Sequence, residues 1–213
     1  MTTKALFRSD GTRKTEIVTT ALRIVDTHGI KGLTVARIAQ EVGFVESALY
    51  RHFRSKNGLI AFILDEMIVA AGFQMAEVRV LPMKAAETLR HMFCIHLEFL
   101  ELHPGIYRIR FSDELPLGDE EIRDRILRLT EIMLAGIALF IREAIREGTY
   151  RSDLKPEIAA VHYLGLIQAS FIFWTMKNRK GSLADIGAGL YQQMEDGFRI
   201  VPGDHRTTKR SSA

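Results

Sequence analysis

Apolar residues along this 213-residue chain recur at intervals of three and four, and no stretch sustains alternation at intervals of two. Ile17, Ala21, Ile24 and Val25 mark one face of a helix expected over about 12–28, and Gly29 stands where a left-handed residue would stop it. Thr34 suits the N-cap of a short helix carrying Val35, Ile38, Ala39 and Val42 and ended by Gly43. A second short helix carries Leu49, Tyr50 and Phe53, and Ser55 caps a long one through Leu59, Phe62, Ile63, Met67 and Ala70. Further helices are expected at about 84–102, 104–111, 120–147, 157–178 and 183–199. Gly148 closes one of them, Pro156 opens the next at its first position, and Ser182 with Asp185 resembles a capping box. No segment requires a strand, so the fold class is all-α.

Composition narrows the class without naming it. A chain that is 47% hydrophobic and 26% charged is an ordinary globular one, and this length suffices for a self-sufficient core. A single cysteine cannot staple a secreted scaffold, which favours a reducing cytoplasmic setting. Met1 to Asp10 has no apolar h-region, so no secretory signal is read there. The net charge of +3 becomes informative only when the chain is divided. Residues 1–60 carry ten Lys and Arg against five acids, residues 61–202 carry 16 against 20, and the last eleven residues add +2. A basic front and an acidic body suggest that only the front meets a polyanion. Chance imbalance on solvated faces gives the same counts.

The stretch Thr34–Phe53 is the sharpest signal. Two helices of under three turns flank Gly43 and share one apolar stripe, which is helix-turn-helix geometry: the second helix enters the major groove and the first crosses the backbone. From Arg13 to Leu59 the sequence resembles the TetR family of bacterial transcriptional repressors, through Gly29, Leu33-Thr34-Val35, Ile38-Ala39, Gly43, Leu49-Tyr50, His52-Phe53, Lys56 and Leu59. The resemblance implies an N-terminal three-helix DNA-binding domain and a larger C-terminal helical bundle that binds an effector and dimerises. It implies phosphate contacts from Thr34, Tyr50, His52 and Lys56, and base reading by Val45, Glu46, Ser47, Ala48 and Arg51 with help from Arg37. Glu46 suits cytosine N4 and Ala48 a thymine methyl, while Glu46 also suits the helix dipole alone. Two positions depart from the family. Val45 stands where many relatives place a capping Ser or Thr, so the recognition helix is expected to fray until DNA orders it; Ser47 stands where Gly or Pro is frequent.

The expected organisation is an N-terminal arm (1–11), a DNA-binding domain (12–55), an effector-binding and dimerisation domain (56–200) and a basic tail (201–213). Lys4 and Arg8 on the arm either track the DNA or only aid solubility. The run Ile158–Met176 contains no Asp, Glu, Lys or Arg and is long enough to span a membrane. His162, Gln168, Ser170 and Thr175 along its length favour a buried helix instead. Ala159, Gly165, Ala169 and Ser170 permit close approach, so this helix is expected to form a four-helix dimer contact with the next one through Ile186, Leu190, Met194 and Phe198. On the helix at 84–102, His96 sits among apolar neighbours and is the leading pocket candidate, with Phe93, Phe99, Phe111, Gln168, Phe171 and Trp174 as walls. A core histidine satisfied by a carbonyl is the competing reading. Arg108 and Arg110 could pair an anionic group or simply face solvent. Glu87, His91, Cys94 and Glu98 have spacing open to a metal, but a solvated face explains them more cheaply, and no metal or cofactor is expected.

No G-x-S-x-G, H-E-x-x-H or Gly-rich phosphate loop occurs, and Cys94 has no recognisable base, so no catalytic residue is assigned and an enzyme is not expected. The expected partners are double-stranded DNA, a second copy of the chain and a small apolar or aromatic effector, with no membrane. The leading function is a homodimeric repressor of a palindromic operator released by that effector. The alternative is an architectural or protein-partner-controlled DNA binder of the same fold without one.

Overall fold

The computed structural model describes residues 13–53, 55–111 and 119–200. The expected arm, Arg54 and the basic tail lie outside these residues, as does the side chain of Ala48. The helices are α1 (Arg13–His28), α2 (Val35–Val42), α3 (Glu46–Tyr50), α4 (Lys56–Arg79), α5 (Ala85–Leu102), α6 (Pro104–Phe111), α7 (Glu120–Arg146), α8 (Pro156–Met176) and α9 (Leu183–Phe198). Among the described residues extended pairing is confined to one antiparallel bridge between Tyr150 and Arg199. The expected stops are in place: Gly29, Gly43 and Gly148 adopt φ of 70°, 76° and 72°, and Ser182 accepts from the Asp185 amide at 3.3 Å. Ser55 caps α4 by accepting from Gly58 N at 3.0 Å, and α4 runs on well beyond the expected Ala70.

The described residues fall into two compact units that cut across the expected division at 55/56. One comprises those within Met1–Gln74 and Leu102–Ile132, the other those within Met75–Glu101 and Met133–Ala213. In the first unit, α1 buries Ile17, Val18, Ala21, Leu22, Ile24 and Val25, and it packs against both α2 and α6. The α6 approach is close: a Cβ on Gly105 would run into the Leu22 carbonyl. One turn further on, Arg108 lies 3.7 Å from Asp26 of α1. Arg110 corrects the solvent-facing option, since it is 7% exposed, donates to Thr130 Oγ1 at 3.2 Å and stacks on Phe111. Burial lowers its guanidinium pKa to about 10.

In the second unit, α8 packs on α9, and α5 inserts Phe93 against Tyr163 and Tyr191 with ring centroids 5.3 and 4.9 Å away. Gly187 of α9 allows this, because a Cβ there would collide with Leu97 and crowd Phe93. The buried Tyr163 hydroxyl donates to Leu89 O at 3.0 Å. Glu195, 1% exposed, is charge-balanced by Arg90 of α5 and by Arg199, whose Nη2 is 2.9 Å from its carboxylate. Tyr150 is buried beside Phe198, ring centroids 5.7 Å apart.

Both α4 and α8 are long and apolar enough, by composition alone, to cross a bilayer. In α8 one face, with Tyr163, Ile167, Phe171 and Trp174, is buried inside the unit. The opposite face presents Ile158, Val161, Gly165, Ala169, Ile172 and Met176 on a single stripe. Ala159 and Ser170, expected among the residues of close approach, are instead buried on the inner side, where Ser170 donates back to Leu166 O at 2.7 Å. Phe198 is likewise corrected: it is buried against Tyr150 rather than presented for a dimer contact.

Burial pushes the Tyr150 hydroxyl up to about 12 and raises Tyr163 and Tyr191 as well. A phenol whose folded pKa is raised contributes stability that is complete below its unfolded value near 10. That contribution disappears as pH rises through the folded value. Helical ellipticity should therefore hold up to about pH 10 and collapse towards pH 12. Tyr150→Phe should make that alkaline loss shallower; an unchanged alkaline profile in the variant would refute the assignment.

Candidate nucleic-acid interface

The helix-turn-helix is assembled by caps and a two-residue anchor. Thr34, in extended conformation, accepts from Arg37 N at 3.2 Å and starts α2. Gly43 ends it in the left-handed region, and Phe44 N closes onto Ala39 O at 2.8 Å. α2 buries Ile38 and Ala39 against the rest of the head. Val45 occupies the N-cap of α3 with no side-chain hydrogen bond, in keeping with the departure noted in the sequence. The five-residue α3 is held by Leu49, 1% exposed, and by Phe53, whose amide bonds Leu49 O at 2.9 Å and whose ring meets Phe62 at 5.3 Å.

With Leu49 and Phe53 pinned inward at i and i+4, the other side of the short helix is turned to solvent. Val45, Glu46, Ser47, Tyr50, Arg51 and His52 are all exposed there. Thr34 is exposed as well. Two expected contacts carry an additional structural load. Arg37 is half-buried and donates to Gly32 O at 3.0 Å, while Lys56 Nζ donates to Ile30 O at 2.5 Å. Both cations thus tie down the turn between α1 and α2. Gly32 has to be glycine here, since a Cβ would strike His28 and crowd Arg37. Nothing in the local pattern announced the Lys56 contact, because Lys56 and Ile30 are 26 positions apart.

A family model described as bacterial regulatory proteins, tetR family, matches residues 17–62, which span α1 to the second turn of α4. The nucleoid occlusion factor SlmA of Vibrio campbellii is 32% identical over 164 residues, covering 74% of this chain and 81% of that protein. The chain belongs to the tetR family. Two solved structures share its fold: a ketosteroid transcriptional regulator of Mycobacterium tuberculosis (TM-score 0.75, 18% identity, 90% of this chain and 97% of that one), and the transcriptional regulator FadR of Bacillus subtilis in complex with stearoyl-CoA (TM-score 0.72, 19% identity, 86% and 98%). Members of the tetR family are DNA-binding regulators, and the head described above is the part of the chain that the family model covers.

The body of this tetR-family chain distributes the expected pocket residues unevenly. Phe93 is wedged between two tyrosines, and Phe171 packs on Trp174 at 5.8 Å, whose indole donates to Gly181 O at 2.9 Å. His96, Phe99 and Gln168 are half-buried in the same unit. Phe111 belongs to the other unit, where it lies on Tyr107 at 4.6 Å. Of the expected dimer residues, Gly165, Ala169 and Leu190 are exposed and Ile186 and Met194 half-exposed, on α8 and α9. Among the described residues no three His, Cys, Asp or Glu gather as metal ligands.

The bare N-cap makes a direct prediction. Val45→Ser should supply the missing acceptor to the first α3 amides and stabilise the head by about 1 kcal/mol. Slower amide exchange in α3 with unchanged exchange in α9 is the expected result, and unaltered α3 exchange would contradict it.

Proposed function

We propose that this tetR-family regulator is a cytoplasmic homodimer whose two heads read an inverted DNA repeat. The observation that carries the reading is the row of exposed side chains on α3, set opposite the buried Leu49–Phe53 anchor. Residues 12–55 serve as the DNA-binding head and 56–200 as the dimerising body. Val45, Glu46, Ser47, Ala48 and Arg51, assisted by Arg37, read base edges, whereas Thr34, Tyr50, His52 and Lys56 hold phosphates. The exposed apolar stripe of α8, with Gly165 and Ala169, and its neighbour α9, with Ile186, Leu190 and Met194, supply the contact between copies.

Two readings of its control divide the evidence of kinship. Release by a small apolar effector is supported by the fold shared with a regulator solved with stearoyl-CoA. Control through protein partners on the nucleoid is supported by the 32% identical relatives named nucleoid occlusion factors. We favour the second. Three of the expected pocket walls, Phe93, Phe171 and Trp174, already spend their surface on core neighbours.

Selection from random DNA should recover an inverted repeat with half-sites about one helical turn, ~34–36 Å, or a multiple of it apart; recovery of no preferred sequence would overturn the reading. On the selected repeat, Lys56→Ala should weaken binding to all sequences alike and lower the salt slope by about one, while Arg51→Ala should alter base preference. Ala169→Glu on the exposed α8 face should give a folded monomer that has lost about a hundredfold or more in affinity for the full repeat. A monomer that binds as tightly as the parent would remove the dimer from the proposal.

A further inference from the structure

The first turn of α4 is clipped on two sides. Lys56 reaches the α1–α2 turn, as described, and the adjacent Asn57 donates its side-chain amide to Asp119 Oδ2 at 2.7 Å. The other oxygen of Asp119 accepts from Ile122 N at 3.2 Å, so a single carboxylate both caps α7 and holds the start of α4. Further along the same two helices, Arg125 Nε meets Asp65 at 2.9 Å and its Nη1 reaches Glu121. The clips therefore fix the opening turns of α4 and α7 in register. Asn57 lies seven residues after Tyr50, the last residue of α3. The direction in which the head is held thus depends on where α4 begins.

We infer that Asp119 is a positioning residue for DNA binding: through Asn57 it orients the start of α4, and with it Lys56 and the recognition helix, without touching DNA itself. The inference rests on the DNA-binding reading above. The chemistry is a neutral amide donating to a carboxylate that is already committed at its other oxygen, which makes the pair directional and sensitive to exchange of partners. Loosening the clip leaves a head that DNA itself must order on binding, at a cost in affinity.

The test uses the full chain and the inverted repeat selected with the parent protein. Asn57→Ala keeps the α7 cap and removes only the clip. It should lower affinity about tenfold, a usual size for coupling between positions, while leaving the salt slope unchanged. Asn57→Asp sets carboxylate against carboxylate and should lose more. The exchanged pair Asn57→Asp with Asp119→Asn restores donor and acceptor in reverse and keeps a good N-cap, so it should recover most of what Asn57→Asp lost. Amide exchange in the first turn of α4 should rise in Asn57→Ala and return to the parent rate in the exchanged pair.

Parent-like affinity of Asn57→Ala would overturn the inference, as would failure of the exchanged pair to improve on Asn57→Asp. A salt slope reduced by one in Asn57→Ala would also overturn it, by making Asn57 a phosphate ligand. If the parent binds no DNA sequence, the DNA reading is what fails, and the exchange rates still decide whether the clip exists.

Discussion

The head depends on burying α1 on two flanks at once. Ile17, Val18, Ala21, Leu22, Ile24 and Val25 cover more of the helix circumference than one neighbour can shield. α2 and α6 each take a share, and α6 comes close enough at Gly105 to touch the α1 backbone. Each fully buried aliphatic side chain stabilises by roughly 1.5–3 kcal/mol. The recognition helix has no comparable resource. With five residues and Leu49 as the buried side chain among those described, α3 leans on α2, while Phe53 just beyond it packs on Phe62 of α4.

That dependence gives two cations of the head a structural task. Arg37 and Lys56 come from the basic front that the charge distribution singled out, and both donate to backbone carbonyls in the turn after α1. A loop whose carbonyls lie near the protein surface needs donors, and a long cationic side chain satisfies one while keeping its charge near solvent. The same positive field then serves attraction to a polyanion at long range. Positive charge near the interface is thus no sign that a residue is given over to DNA alone. Arg51, the C-cap of α3, is exposed.

The helices were legible because their caps are local. Thr34, Gly43, Ser55, Pro156 and Ser182 act over three or four residues, the range over which a sequence pattern is unambiguous. The exposed row on α3 was legible for a related reason, since Leu49 and Phe53 at i and i+4 leave only one outward side. What escaped are pairings made across the fold: Lys56 with Ile30, Asn57 with Asp119, Glu195 with Arg90. Their partners are 26, 62 and 105 positions away, and at such separations composition carries no register. The unit boundaries escaped likewise, since α6 rejoins the head by packing on α1 after an excursion through α5.

The aromatic residues of the body show why periodicity alone does not distinguish a pocket wall from core. Phe93, Phe171 and Trp174 recur at helical spacing, and that spacing is the same whether a side chain lines a ligand cavity or meets another ring. The deciding feature was Gly187: without a Cβ it lets α5 approach α9 until Phe93 reaches Tyr163 and Tyr191. A larger residue there would hold the helices apart and leave those rings unfilled space between them. The identity of one small residue, 94 positions from the phenylalanine it accommodates, thus sets how Phe93 packs. The outer stripe of α8 lacks any such neighbour within the unit. It therefore stays apolar and exposed.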